Sequence, residues 1–579
     1  MITIIKKFGQ ILDKRQKKRI FLLFLITLAG SFLEVLGVSL MLPMISAVMQ
    51  PDFIRNNAPV AAFCKLFGIE NHRTFFLVCI VALIAIFIFK DLFLMFESYA
   101  QSRFVCNNRF ATQQRLLHIF LQRPYEYYLN ASSGEIVRLV QEDAATVYHQ
   151  LSSLLFMFSE VFVSLSLIVT ILIIDWKITL FVTVMMLLNM LLIIKVIKPI
   201  MKKSGREYQE NNTAAYKYLL QSISGIKEIK VAQKEAFFEQ RYLYYGSRKI
   251  RAEKINNVAD ALPRHLIEMI SICSTLTVIA IEIATGRDIN ALVPTLGAFV
   301  MAAVKLMPSA NRIITTFSSI SFFTPALDAL VEHLNDLKAY EASNMSQSDT
   351  QKPLPLSISE SFSLKDITYH YPNTEKNVLS DAGLFVPIGS SVGIVGVSGA
   401  GKTTVVDILL GLLCPQSGSI LIDGKPLENY SGWLSHIGYI PQMIFMMDSS
   451  IRENIAFGVE KDAMSEEQIW HCLQEAQLAD FVRSLPNGLD TAIGEHGIRI
   501  SGGQRQRIGI ARALYSNPDI LIFDEATSAL DNETEAAIID AVNSLHGKKT
   551  MVIIAHRLQT IAGCDMIYRV ADEKIVRER

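Results

Sequence analysis

The chain lacks the features that hold small secreted domains together. Its 579 residues include seven cysteines, and no two of them form a C-x-x-C pair. We therefore expect neither a disulfide framework nor a zinc site. Charge is also scarce, at 19% of residues, and 55 Lys and Arg balance 55 Asp and Glu. A net charge of zero argues against nucleic acid as the main partner.

Apolar residues are abundant instead. They make up 51% of the chain, which is too apolar for an ordinary soluble enzyme. The long apolar runs lie within residues 1–340, the polar stretch 341–355 is typical of a linker, and 356–579 has the pattern of a soluble α/β domain. The N-terminus is basic and amphipathic, and no small-residue cleavage site follows its first apolar run, so we expect no cleavable signal peptide.

Six apolar segments are long enough to cross a bilayer, which needs about 20 residues each. They are 20–48, 74–98, 150–174, 178–199, 262–285 and 291–322. The basic run KRQKKR before the first segment predicts a cytoplasmic N-terminus. The loop 50–73 then lies outside, where part of it is predicted to form a short surface helix.

The long polar stretches 99–149 and 200–261 then lie inside, where they extend the membrane helices. Their tips, near Tyr127–Glu135 and Ser222–Ile229, are either plain loops or short helices that contact the nucleotide domain. Structureless loops of this length are uncommon, which favours the second alternative.

Basic residues occur within the apolar segments, and three of them, Lys90, Arg264 and Lys305, are predicted to lie at a similar level. At about 1.5 Å per residue, Lys90 lies roughly 24 Å and Lys305 roughly 21 Å from the outer side, level with Arg264 near the inner leaflet. Such a ring is predicted to bind a phosphate-bearing, lipid-linked anionic substrate. The alternative is that these side chains snorkel to the interface. Glu160, deeper in the apolar region, is expected to pair inside the bundle.

The stretch 392–404, VGIVGVSGAGKTT, combines an apolar strand, a glycine-rich turn and a helix start, with the spacing of a phosphate-binding loop. A nucleotide's phosphates must meet several backbone N–H groups at once, and a Cβ in the turn would hold the backbone away. The predicted nucleotide-binding residues of this loop are Gly396, Ser398, Gly399, Ala400, Gly401, Lys402, Thr403 and Thr404. Lys402 is expected on the β- and γ-phosphates, and the Thr403 hydroxyl on Mg²⁺.

Two apolar strand patterns end in residues suited to phosphate chemistry. In ILIFDEATSALD, Asp524 is predicted to hold Mg²⁺ and Glu525 to polarise the attacking water. TMVIIAH ends in His556, which is expected to contact the γ-phosphate. Gln442 in IGYIPQ is predicted to contact Mg²⁺ and water, and Tyr371 is a candidate for stacking on adenine.

A second phosphate-binding shape follows at Ser501, Gly502, Gly503 and Gln504, where two glycines open a helix. The chain already has one phosphate loop. We therefore expect this second loop to serve a nucleotide held by another copy of the chain, which makes the protein a homodimer.

The set GVSGAGKT, YIPQ, SGGQ, LIFDEATSALD and IIAHR resembles the ATP-binding cassette (ABC) transporters, and the six segments resemble an exporter-type half-transporter. The resemblance implies an α-helical transmembrane domain fused to an α/β P-loop NTPase domain, with ATP and Mg²⁺ as cofactors. It also implies that Glu525 is the catalytic base, His556 the switch histidine and Asp531 the D-loop acid. The resemblance also makes Ser501–Gln504 part of the family's signature sequence, which here begins with Ile500 instead of the usual Leu.

Three membrane stretches, FLEVLGVSLMLP, ALPRHLIE and VKLMPSANRIIT, resemble the PglK-like family of bacterial flippases. This likeness implies transport of a polyprenyl-pyrophosphate-linked oligosaccharide from the inner to the outer leaflet of the cytoplasmic membrane. The alternatives are export of lipid A, phospholipid or hydrophobic drugs, and an ATP-gated channel or sensor.

Overall fold

The computed structural model describes residues 2–49, 72–174, 176–284, 289–345, 356–525, 539–540, 542–555 and 558–579. The predicted outer loop lies outside these residues over 50–71, and so does the predicted linker over 346–355. The chain divides into two compact units. One contains residues 1–123 and 131–346, and the other contains 124–130 and 347–579.

The first unit is helical, and its six longest described helices carry the six predicted membrane segments. In chain order, the helices as far as residue 345 are α1 Ile2–Ile11, α2 Lys14–Met49, α3 His72–Gln122, α4 Tyr125–Tyr128, α5 Ser133–Arg138, α6 Ala144–Ile174, α7 Trp176–Ser224, α8 Ile226–Ala232, α9 Glu235–Ala284, α10 Ile289–Phe322 and α11 Thr324–Met345. Because α11 continues to Met345, residues 341–345 of the predicted linker are helical.

The helices α3, α7 and α9 are much longer than a bilayer requires. They contain 51, 49 and 50 residues, or about 75 Å at 1.5 Å per residue, against a hydrocarbon core of about 30 Å. These three helices are therefore continuous from the predicted membrane segments into the polar stretches 99–149 and 200–261. By length and hydropathy alone, three of the described helices qualify as spans, or up to four if the pair bent by 51° at Phe323 is one span.

Several polar side chains inside the first unit are hydrogen-bonded to one another. Gln101 Nε2 donates to Thr27 Oγ1 and to Glu97 Oε1, each at 3.0 Å. Glu160 forms an ion pair with Arg312, as expected for an acid in the bundle. Such pairs offset the cost of placing polar groups among apolar helices.

The junction of α10 and α11 packs tightly against α7 at Gly205. A Cβ built on Gly205 would lie 1.9 Å from the carbonyl oxygen of Phe322. The neighbouring buried cluster consists of Met201, Ala259 and Phe322. Because the obstructing atom is backbone, this position has no room for a side chain.

We predict that Gly205→Ala lowers the unfolding temperature of the full-length protein in detergent, because overpacking costs about 1–3 kcal/mol. Gly246→Ala is the matched control, since a Cβ on Gly246 in α9 meets nothing within 4 Å. The control should hold or raise the unfolding temperature through its better helix propensity. Equal effects of the two substitutions would contradict this account of the junction.

The second unit contains two sheets. Its strands are β1 Ser361–Tyr369, β2 Leu379–Pro387, β3 Ser391–Val395, β4 Ser417–Ile422, β5 Lys425–Pro426, β6 Ile437–Ile440, β7 Ile520–Asp524, β8 Thr550–Ile554, β9 Met566–Ala571 and β10 Lys574–Arg577. An antiparallel sheet has the order β2-β1-β4-β5, and a six-stranded sheet has the order β10-β9-β3-β8-β7-β6. In the latter, β9, β3, β8, β7 and β6 are mutually parallel.

The described α-helices of the second unit beyond residue 401 are α12 Lys402–Leu409, α13 Tyr430–Ser435, α14 Ile451–Ile455, α15 Glu466–Glu475, α16 Ala479–Ser484, α17 Gly502–Tyr515 and α18 Leu558–Ile561. Of these, α12 packs against β7 and α17 against β6. Every residue of β3, β7 and β8 is buried, as expected for parallel strands covered on both faces.

Residues 124–130 cluster with the second unit although they lie inside the range 1–340 predicted for the membrane domain. Within this unit, the backbone N–H of Cys414 donates to Glu126 Oε1 at 3.1 Å. The predicted tip Tyr127–Glu135 is therefore divided, because Tyr127–Asn130 belongs to the second unit and α5 to the first.

Candidate nucleotide site

The phosphate loop connects the end of β3 to the start of α12. A Cβ on Gly396 would lie 2.5 Å from the carbonyl oxygen of Val570 on the neighbouring β9, so only glycine fits. Gly401 has φ +102° and is the N-cap of α12. Between them Ser398 and Gly399 are exposed and Ala400 is half-buried. The loop therefore presents backbone rather than side chains, as phosphate binding requires.

Lys402 lies over this loop. Its side chain is only 4% exposed, and its Nζ donates to the carbonyl oxygens of Gly396 and Val397 at 3.0 and 3.1 Å. Nζ also lies 4.0 Å from Glu525 Oε1. The ammonium group thus stands between the loop and the acid predicted to activate water.

The carboxyl ends of β6 and β7 bring Gln442, Asp524 and Glu525 together. Gln442 Nε2 donates to Glu525 Oε2 at 2.8 Å. Glu525 follows β7 directly and has φ +49°, a conformation that non-glycine residues seldom adopt and that is often found at functional sites. The sequence predicted that Asp524 and Glu525 end a strand at the carboxyl edge of a sheet and that Gln442 ends another strand-like run. The geometry shows that Gln442 and Glu525 are in direct contact.

Asp524 is suited to a cation. It is 5% exposed, and its Oδ1 has no hydrogen-bond partner among the described residues. Burial raises the pKa of Asp524 and the charge on Glu525 raises it further, whereas a hydrogen bond from Tyr439 and the charge on Lys402 lower it. A buried carboxylate oxygen without a donor is costly, and a metal ion would satisfy it.

These residues fit Mg²⁺. The Thr403 side chain is exposed at the start of α12, and Asp524 offers its buried oxygen. No cluster of three His, Cys, Asp or Glu suited to a metal occurs in the described part of the chain. A Mg²⁺ here would therefore take most of its ligands from phosphate and water, which is usual for this ion.

Tyr371 is connected to the loop region through Thr404. Its hydroxyl lies 3.0 Å from Thr404 Oγ1, and its ring packs edge-on against Tyr369 with centroids 5.3 Å apart. The ring is thus held beside the start of α12, where the sequence predicts a contact with adenine.

The second glycine pair begins α17. Ser501 is the N-cap, and it forms a capping box in which Gln504 N donates to Ser501 Oγ at 3.2 Å and Ser501 N donates to Gln504 Oε1 at 2.8 Å. Gly502 and Gly503 form the first turn. Two further predicted residues, Asp531 and His556, lie outside the described residues.

Sequence reasoning missed Tyr439 and Asp407. Tyr439 on β6 hydrogen-bonds to Asp524, and Asp407 on α12 interacts electrostatically with the same carboxylate. Burial first, and then the Asp524 charge, raise the pKa of Asp407 to about 6. Tyr439 is the tyrosine of YIPQ, and Asp407 stands in none of the quoted motifs. The sequence did not connect either residue to Asp524, because their proximity to it arises only from the packing of the sheet.

A unit of long apolar helices, in one chain with a phosphate loop of the kind that binds ATP, is typical of membrane transport ATPases. The model of the ABC transporter family matches residues 379–528, and the model of the ABC transporter transmembrane region matches residues 7–293. The chain belongs to the ABC transporter family and has the exporter-type half-transporter architecture, in which hydrolysis of ATP is coupled to transport.

Two relatives and one solved structure illustrate the similarity. The chain is 31% identical to an ATP-dependent lipid A-core flippase of Desulfotalea psychrophila, over 78% of each chain. It is 29% identical to a multidrug resistance ABC transporter ATP-binding and permease protein of Lactococcus lactis, over 81% of this chain and 78% of the other. A bacterial Atm1-family ABC exporter with ATP bound has the same fold, with a TM-score of 0.74 at 22% identity over 97% and 95% of the chains.

The names of these relatives bear on the predicted cargo. They do not point specifically to the PglK-like family, and they favour the alternative cargo classes over a lipid-linked oligosaccharide. The membrane stretches that suggested the PglK-like family are short, so similarity over most of the chain outweighs them.

We predict that Glu525→Gln lowers ATP hydrolysis at least about 100-fold, because it removes the group that accepts the proton of the attacking water. ATP binding should persist, since Lys402 and the loop are unchanged. Steady-state ATPase rates and binding of a fluorescent ATP analogue measure the two effects. Glu466→Gln is the control, because this exposed carboxylate pairs with Arg452 outside the site. A normal ATPase rate in Glu525→Gln would remove Glu525 from the role of base.

We predict that Asp407→Asn stabilises the nucleotide-free protein at pH 8 by about 1–2 kcal/mol, after allowance for solvent screening. The folded-state pKa of about 6 lies above the ordinary value of 3.8, so the charged carboxylate opposes folding above pH 6. The destabilisation by the charged carboxylate shrinks as the pH falls from 6 towards 4. The stability gain from Asp407→Asn, measured by thermal unfolding at several pH values, should shrink in the same way.

The control for Asp407→Asn is a substitution that is expected to change stability in the opposite direction. The Arg452 guanidinium lowers the pKa of Asp490, so Asp490→Asn should lower stability at neutral pH and lose its effect as the medium becomes acidic. A gain from Asp407→Asn that did not change with pH would show that its charge is not the cause.

Proposed function

We propose that the protein is a homodimeric, ATP-driven flippase that moves an amphipathic lipid with a phosphate-bearing headgroup from the inner to the outer leaflet of the bacterial cytoplasmic membrane. The observation that carries the proposal is the similarity to a lipid A-core flippase along 78% of both chains. Lipid A-core is therefore the first cargo class to test.

The topology of the six-stranded sheet supports the homodimer. The phosphate loop follows β3, whereas α17, which begins with the Ser501 loop, packs against β6. In the sheet order β3-β8-β7-β6, β3 and β6 are three positions apart, or about 14 Å at 4.8 Å per strand. One chain would hold ATP on its phosphate loop, and the Ser501–Gln504 turn of a second copy would close the site.

The residues of the site divide the chemistry among them. Lys402 would exchange its two carbonyl acceptors for the β- and γ-phosphates. Thr403 and Asp524 would hold Mg²⁺, which would neutralise phosphate charge. Glu525, positioned by Gln442, takes the proton from the attacking water. By resemblance, Tyr371 stacks on adenine, and His556 and Asp531 complete the site.

The headgroup site is the part of the proposal that rests on Lys90, Arg264 and Lys305. Lys90 lies on α3 with 12% of its side chain exposed, 3.1 Å from Asp91 Oδ1 and over the ring of Phe87. Arg264 is exposed on α9. Lys305 lies on α10, and its side chain is outside the described residues. Headgroup binding therefore requires Lys90 to exchange Asp91 for phosphate.

A polyprenyl-pyrophosphate-linked oligosaccharide is the second candidate cargo. The three membrane stretches quoted above favour it, and a pyrophosphate would use the same basic residues. A drug cargo, which the Lactococcus lactis relative suggests, would not need them.

We expect reconstituted protein to flip fluorescent lipid A-core with ATP, at a rate well above that of the polyprenyl-pyrophosphate glycan and of phosphatidylcholine. The triple substitution Lys90→Gln, Arg264→Gln and Lys305→Gln should lower flipping of the phosphate-bearing lipid more than about 10-fold, since a charge-assisted hydrogen bond contributes about 1.5–3 kcal/mol. Export of a hydrophobic dye by the same variant should be nearly unchanged.

Two controls complete the flipping experiment. Glu525→Gln gives the rate without hydrolysis, and Lys195→Gln removes an exposed basic residue from α7 without touching the predicted ring. Faster flipping of the glycan-linked lipid would select the second candidate. Dye export with no lipid flipping would reject both lipid cargoes, and a sustained ion current would indicate a channel.

A further inference from the structure

One face of α2 carries a row of exposed apolar side chains. The row consists of Phe21, Leu25 and Phe32, which recur at helical spacing and are all exposed. The opposite face of α2 packs inside the first unit, where Leu23 and Thr27 are buried. The apolar row is therefore not part of the core of this unit.

Five cations precede the apolar row on the same helix. They are exposed, and none of them forms an ion pair within the described part of the chain: Lys14, Arg15, Lys17, Lys18 and Arg19. The stretch Lys14–Gly37 qualifies as a membrane span by length and hydropathy, and its apolar part begins near residue 20. At 1.5 Å per residue, the cations lie roughly 2–9 Å before that point, which is the level of the lipid headgroups.

The packed face of this basic stretch is fixed by polar contacts. Gln16 Nε2 donates to Oδ1 of the buried Asn108 on α3 at 2.8 Å. Asp13 Oδ1 lies 3.7 Å from Arg115 Nη1, also on α3. Gln16 shares a helix face with the buried Thr27, eleven residues later, so these contacts fix which side of α2 faces outwards.

Two of the cations lie in line with the apolar row. Lys14 precedes Phe21 by seven residues, and Lys18 precedes Leu25 by seven, so each pair shares a helix face. One face of α2 thus presents two cations at headgroup level and apolar side chains about 10 Å deeper. This order of charge and apolar surface is complementary to an anionic phospholipid that lies along the helix.

We propose that this face of α2 binds an anionic phospholipid of the inner leaflet, with the phosphate on Lys14 and Lys18 and an acyl chain along Phe21 and Leu25. The phosphate then keeps its normal level in the bilayer. Charge selects the headgroup, because each basic residue near an anionic lipid surface raises affinity about fivefold, or about 1 kcal/mol. The bound lipid would hold this end of α2 at the inner interface.

This site differs in level from the headgroup ring of the proposed function. Lys90 lies eight residues before the inner end of the second predicted segment, or about 12 Å inside it. Lys14 and Lys18 instead precede the inner end of the first segment. The lipid bound here is therefore a resident of the leaflet rather than cargo. Its binding is measurable without ATP or transport, so failure of this proposal and failure of the proposed function are distinguishable.

The test is native mass spectrometry of the full-length protein in detergent, titrated with phosphatidylglycerol or phosphatidylethanolamine of identical chains. Lys14→Gln with Lys18→Gln should weaken phosphatidylglycerol binding at one site about 30-fold, the product of two fivefold losses. Phosphatidylethanolamine binding should change less than about threefold, because its headgroup has no net charge. Phe21→Ala with Leu25→Ala should weaken binding of both lipids alike, since it removes apolar contact.

The matched control is Lys17→Gln with Arg19→Gln. It removes two cations from the same basic run and leaves three, as the test variant does, but these two positions lie on either side of the apolar row. Phosphatidylglycerol affinity should change less than about threefold, because exposed charges away from the bound phosphate are screened by salt. Equal effects of the two variants would overturn the proposal, because they would indicate a general basic surface.

Two further outcomes would also overturn it. Competition by inorganic phosphate at millimolar concentration would show an anion site that makes no use of the apolar row. Leu22 is exposed beside the row, so disulfide-linked dimers of Leu22→Cys in native membranes, absent from the unsubstituted protein, would show that a second copy covers this face. Circular dichroism checks that each variant keeps its helix content.

Discussion

The parallel strands of the six-stranded sheet impose the constraint on which the nucleotide site depends. Because β3, β8, β7 and β6 run in the same direction, their carboxyl ends meet at one edge. That edge places Lys402, which follows the β3 loop, beside Glu525, which follows β7. Gln442, which follows β6, then contacts Glu525 from the other side.

Within the site, the charged side chain of Lys402 pairs with neighbouring groups of the protein. The buried ammonium of Lys402 is satisfied by two loop carbonyl oxygens and by the nearby Glu525. These partners bind the ammonium group of Lys402 without neutralising its charge fully. A phosphate therefore competes favourably with them for this group. Asp524 is the counterpart, because its buried Oδ1 has no hydrogen-bond partner among the described residues and a cation would supply one.

The elements that sequence alone predicts are those with local causes. The strand of Val392–Val395, the turn from Gly396 to Gly401 and the acid pair at the end of β7 follow from periodicity, steric room and strand polarity. The hydrogen bond of Tyr439 to Asp524 does not, because it depends on the parallel pairing of β6 with β7. The pairing of Glu160 with Arg312, 152 residues apart, likewise arises from helix packing.

In the first unit, the presence or absence of a partner for a polar group distinguishes a structural role from a binding role. Glu97 is held by Gln101, and Glu160 by Arg312, so both carboxylates have a structural account within the bundle. An unpaired base near the interface is not informative alone, because a long side chain reaches water at little cost.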